Sequence, residues 1–82
     1  MTPYHRAQLA MAELKAAVYE LLTADQGSGL TNADIGRSLG IYKGHVGHEG
    51  HISRTILALL ESEGVAHQDP ETKRWTLQHH PE

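Results

Sequence analysis

The chain contains no cysteine and no phenylalanine, and its aromatic residues are limited to Tyr4, Tyr19, Tyr42 and Trp75. Without thiols there is no disulfide framework and no thiolate metal site, and nothing points to an oxidising compartment. So few rings argue against a stacking platform for single-stranded nucleic acid. Long apolar runs are also lacking: no stretch approaches the roughly 20 residues that a membrane span needs. The start, Met1-Thr2-Pro3-Tyr4-His5-Arg6, leads into a helix pattern with charges inside it, not into a signal-peptide core. These absences predict a cytoplasmic protein with no membrane partner. A basic excess is missing too. Seven Lys and Arg stand against ten Asp and Glu, a formal charge of −3, whereas a dedicated DNA binder gains affinity by neutralising phosphates. Any basic face must therefore be local.

What is present is compatible with one domain over all 82 residues, near the small end of what folds unaided. Good helix formers predict a first helix over about 4–24, with Leu14, Val18, Leu21 and Leu22 as its core stripe. Leu9 and Met11 extend apolar surface beyond that stripe. Asp25-Gln26-Gly27-Ser28-Gly29 stops the helix. A second helix is predicted over about 31–39: Thr31 caps it, Asp34 closes a capping box, Leu30 and Ile35 form a hydrophobic staple, and Gly40 ends it. Between about 40 and 50 lies a Gly-His repeat, Gly44-His45, Gly47-His48 and Gly50-His51. Each glycine costs a helix about 1 kcal/mol relative to alanine, so this stretch reads mostly as loop. A third helix follows over about 51–63, with Ile52, Ile56, Leu59 and Leu60 as its buried face and Gly64 as terminator. Residues 65–78 read as a hairpin with Trp75 and Leu77 on one face, and 79–82 as a frayed tail.

The order is three helices and then a two-stranded C-terminal hairpin, an α+β chain that is mainly α. Both this order and the local text resemble the winged helix-turn-helix family. "LTNADIGRSLGI" is similar to the second helix and turn, "HISRTILALLESEGV" to the recognition helix running into the first wing strand, and "DPETKRWTL" to the wing. The resemblance covers about residues 10–78 and speaks for the fold more than for any subfamily. It implies duplex DNA as partner and a role in transcriptional regulation or as a DNA-recognition component. One departure stands out: the turn between the motif's helices is usually about three to four residues, whereas Gly40 and the third helix are much further apart here. Either the third helix begins earlier despite its glycines, or a Gly-His loop is inserted there.

In this motif the third helix enters the major groove with its amino-terminal side chains toward the base edges. On a helical wheel the face opposite Ile52, Ile56 and Leu60 carries His51, Arg54 and Ala58, flanked by Thr55, Leu57 and Glu61. Arg54 is the candidate base contact, since its fork matches guanine O6 and N7. His51, Ser53 and Thr55 are candidate hydrogen-bonding partners of bases or phosphates. Arg37 and Lys43 add positive charge, as do Lys73 and Arg74 at the wing, while the acids concentrate on the first helix and the far end of the third.

For the Gly-His segment three readings stay open: a plain flexible loop, a phosphate-binding loop in which glycine lets backbone N–H groups approach an anion, or a zinc or nickel site of His45, His48 and His51. Catalysis is not expected, because Ser53 near His51 lacks a third group and an oxyanion site. Two further readings compete with DNA binding: a winged-helix protein-interaction module, which the charge of −3 suits, and a metal-responsive regulator. A homodimer through the first helix, using Leu9 and Met11, is expected because such domains commonly pair on two half-sites.

Overall fold

The computed structural model describes residues 1–44 and 47–78. These residues form three helices, α1 (Pro3–Ala24), α2 (Asn32–Ser38) and α3 (His51–Ser62), followed by strands β1 (Ala66–Gln68) and β2 (Trp75–Leu77). The strands pair antiparallel, with Ala66 opposite Leu77 and Gln68 opposite Trp75. The arrangement is α+β and mainly helical, as the sequence pattern predicts. Among the described residues, no helix is long and apolar enough to cross a membrane.

Local chemistry sets each boundary. The Thr2 hydroxyl caps α1 by accepting from His5 N at 3.1 Å, and Pro3 occupies the first turn, where its missing N–H costs nothing. Asp25 then turns the chain, its carboxylate accepting from Gly29 N at 2.6 Å. The capping box of α2 is complete: Asp34 N donates to Thr31 Oγ1 and Thr31 N to Asp34 Oδ2, each at 3.1 Å. Hydrogen bonding with Thr31, the backbone N–H first and then the side chain, holds the Asp34 carboxyl below the ordinary carboxylate range. Gly40 leaves the helix at φ 72°. The hairpin tip is closed by the Asp69 carboxylate, which accepts from Glu71 N and Thr72 N. One pairing was not legible beforehand. Leu30 exchanges two hydrogen bonds with Trp75, at 3.0 and 2.7 Å, adding a single rung on the outer side of β2.

The core joins Val18 and Leu22 of α1, Ile35 of α2, Ile56, Leu57 and Leu60 of α3, and Ala66 and Trp75 of the hairpin. Met11 packs against this core, which removes it from the outward surface expected beside Leu9. The buried face of α3 also differs from the expected one. Leu57 is fully buried and Ile52 is 42% exposed, so the inward positions are Ser53, Ile56, Leu57 and Leu60. These fall at i, i+3, i+4 and i+7, a single helical stripe. Counting only apolar residues misplaced its centre, because one of its four members is a serine.

Two outcomes check these assignments. Leu57→Ala should lower the unfolding free energy by about 2–5 kcal/mol, and Ile52→Ala should stay within about 0.5 kcal/mol of wild type, as exposed substitutions usually do, both measured by urea titration. The reverse order would place the buried face where the apolar count put it. Asp34 and Asp69 both have pKa values below the ordinary carboxylate range in the fold. Their contribution is therefore present above the ordinary carboxylate range and lost as pH falls through the lowered values. Acid unfolding followed by circular dichroism should accordingly be shallower in Asp34→Ala, Asp69→Ala than in wild type.

Candidate nucleic-acid interface

The surface around α3 is organised by a buried polar junction. Ser53 has no exposed surface. Its hydroxyl donates to Asn32 Oδ1 at 2.8 Å and lies 3.1 Å from the Gly50 carbonyl, which also accepts from Asn32 Nδ2 at 3.1 Å. Gly50 precedes α3 in the left-handed conformation, φ 82°, and a Cβ there would sit 2.6 Å from Asn32 Nδ2 and 2.7 Å from Tyr42 Cε1. Glycine is required twice over, for its backbone angle and for the close approach. Tyr42 also lies against Gly36 of α2, where a Cβ would meet its ring at 2.9 Å. The Arg37 guanidinium stacks over that ring at 4.6 Å, a cation–π contact that holds the cation at the turn.

The described residues between α2 and α3, 39–44 and 47–50, lie outside any helix, and α3 begins at His51. Gly50 N donates to the Lys43 carbonyl at 3.2 Å and closes the base of the excursion. Gly47 N donates to Glu49 Oε2 at 3.1 Å. Two of the repeat's glycine N–H groups are thus committed inside the loop, which weakens its reading as a backbone cradle for phosphate.

The expected site residues divide clearly. His51, Arg54 and Thr55 are exposed on the side of α3 opposite the core, and Arg37 and Lys43 are exposed before it. Thr55 already donates its hydroxyl to the His51 carbonyl at 3.0 Å. Lys43, His48 and His51 come together with Gly44 and Ile52 around an open cavity of about 340 Å³. Lys73 is exposed at the hairpin tip, with φ 65°. Arg74 is tied down on one side, donating from Nη1 to the Gly29 carbonyl at 2.9 Å. Ser53 is a correction: enclosed and hydrogen-bonded, it cannot touch a base or phosphate, nor act as a nucleophile. His45 lies outside the described residues, so the histidine triad is not assembled among them. Sequence reasoning missed Asn32 and Tyr42, and put the exposed Ile52 on the buried face. A polar residue just after a cap and an aromatic in a glycine-rich turn were the only signals of the first two.

Charge separates along the same helix. Arg54 and the positive end of the helix dipole share the amino-terminal half of α3, whereas Glu61 lies at its other end. Just beyond it, Glu63 is engaged by Lys15 of α1 at 2.7 Å. In comparisons with known proteins, no family model, curated protein or solved structure matches the chain.

Gly47 and Gly50 give a paired test of the junction. Both have left-handed φ, near 86° and 82°, but among the described residues no atom beyond the chain neighbours lies within 4 Å of a Cβ placed on Gly47. Each alanine substitution should cost about 1–2 kcal/mol for the backbone, and Gly50→Ala should cost measurably more because Asn32 and Tyr42 must also move. Equal losses of thermal stability would deny the junction its role.

Proposed function

We propose that the chain is a winged helix-turn-helix domain that binds duplex DNA, with no catalytic step of its own, as a cytoplasmic transcriptional regulator or DNA-recognition component. The observation that carries this reading is the exposed position of Arg54 on the amino-terminal half of α3, facing away from the core. With α3 in the major groove, Arg54 reads guanine through paired hydrogen bonds. Arg37, held by Tyr42, and Lys43 on the loop meet phosphates beside the groove. The hairpin acts as the wing, and Lys73 at its tip reaches the neighbouring backbone. Its base is anchored by the Leu30–Trp75 rung and the Arg74–Gly29 hydrogen bond. The further partner in this reading is a second copy of the chain, as paired half-sites require.

A second reading, a winged-helix module that binds proteins and not DNA, is favoured by the net charge of −3. Arg54→Ala separates the two, since loss of duplex binding with the fold intact belongs only to the first.

Fluorescence anisotropy with a duplex pool tests the proposal. Three phosphate contacts from Arg37, Lys43 and Lys73 predict that affinity falls about 40-fold between about 50 and 200 mM salt. Lys43→Ala should reduce the salt slope by about one. Arg54→Ala should cost about 1–3 kcal/mol on the preferred sequence. Absence of binding to any duplex at about 50 mM salt would sink the proposal.

A further inference from the structure

The first helix carries a second organised face that the core does not use. Val18 and Leu22 are buried, and Met11, Leu14 and Leu21 pack beside them. On the opposite side lie His5, Leu9, Ala12, Ala16, Tyr19 and Thr23, all exposed. Their spacing alternates strictly between four and three residues. That is the 3.5-residue repeat of a helix–helix seam, distinct from the 3.6-residue repeat of a helix on a globular core. No residue of the seam is an acid, a lysine or an arginine. Its two large apolar members, Leu9 and Tyr19, are 51% and 50% exposed. The Thr23 hydroxyl is already satisfied, donating to the Tyr19 carbonyl at 2.9 Å. Along one edge, Arg6, Glu13 and Glu20 recur every seven residues.

We propose that this face docks α1 of a second copy of the chain, antiparallel, about a twofold axis near residue 14. In that register Leu9 meets the partner's Tyr19 on both sides of the axis, and Ala12 meets the partner's Ala16 at the centre. The small residues let the helices approach closely, and the large ones fill the seam to either side. The flanking charges select both the partner and the direction. Arg6 faces the partner's Glu20, and symmetry makes this pair twice. Near the axis the two Glu13 carboxylates oppose each other on this edge and the two Lys15 ammoniums, each bound to its own Glu63, on the other. A face that is basic at one end and acidic at the other matches an inverted copy of itself, which is what an isologous interface needs. Parallel pairing would leave Arg6 without an acid. It would offer Glu20 only Lys15, which is already bound to Glu63. The first eight residues of α1, all exposed, form about two turns with no core beneath them, and so short a helix is marginal in water unless covered.

The inference is independent of what α3 binds, and sedimentation equilibrium at roughly 10–100 µM chain tests it directly. Wild type should show twice the 9.0 kDa mass of the chain, and Leu9→Glu, Tyr19→Glu should show the single mass with unchanged circular dichroism. Arg6→Glu and Glu20→Arg should each weaken association at least about tenfold. Combined in one chain, they should bring it back to within about threefold of wild type, because opposite charges again face each other. A wild type that stays monomeric at about 100 µM, or a dimer indifferent to Leu9→Glu, Tyr19→Glu, would overturn the proposal. Failure of the double charge reversal to recover association would overturn the antiparallel register.

Discussion

The hydrogen-bonded junction of Ser53, Asn32 and the Gly50 carbonyl is the constraint on which the rest of this structure depends. A buried hydroxyl or amide left without a partner costs about 1–3 kcal/mol, so these groups hold α3 to one rotation about its axis. That rotation turns Leu57 inward and sets Ile52 and Arg54 outward. It also forces the chain through a left-handed glycine immediately before the helix. Tyr42 closes the junction against Gly36 and Gly50, and carries Arg37 on its ring. One polar contact thereby couples the core, the start of α3 and the placement of the cations around it.

The same junction explains which features were legible in the sequence. The capping box of Thr31 and Asp34, the glycine stop at Gly40 and the start of α3 at His51 were readable because their chemistry is local, spanning a few residues. The hairpin was readable from turn residues and from Trp75. The inward face of α3 was not, since a serine counts as polar in any periodicity and only Asn32, 21 residues earlier, makes it a core residue. For the same reason Ser53 was mistaken for a surface contact, whereas Arg54, Lys43 and His51 were placed correctly on the outside. The Leu30–Trp75 rung is a single residue long and leaves no period to detect.

An acidic total is compatible with the proposed DNA-binding face because the charges are sorted. Several carboxylates are occupied: Asp34 by its cap, Asp69 by the hairpin tip, Glu49 by Gly47 and Glu63 by Lys15. Among the described residues, Arg37 is anchored on Tyr42 and Arg74 of the hairpin on the Gly29 carbonyl, while the other cations around α3 and the loop are more loosely held. Such a surface is strongly salt-dependent, because its effect lies in released counterions more than in buried contacts. The exposed face of α1 from His5 to Thr23 shares no residue with that surface, so the proposed pairing of two chains would leave α3 free.

The proposed DNA-binding surface is tested most directly by a titration of isotope-labelled protein with duplex, followed through its backbone amide resonances. The predicted result is a set of shifts confined to Arg37, Lys43, His48, the His51–Thr55 turn and Lys73, with the seam from His5 to Thr23 unmoved. Shifts centred on α1, or none at saturating duplex, would contradict it.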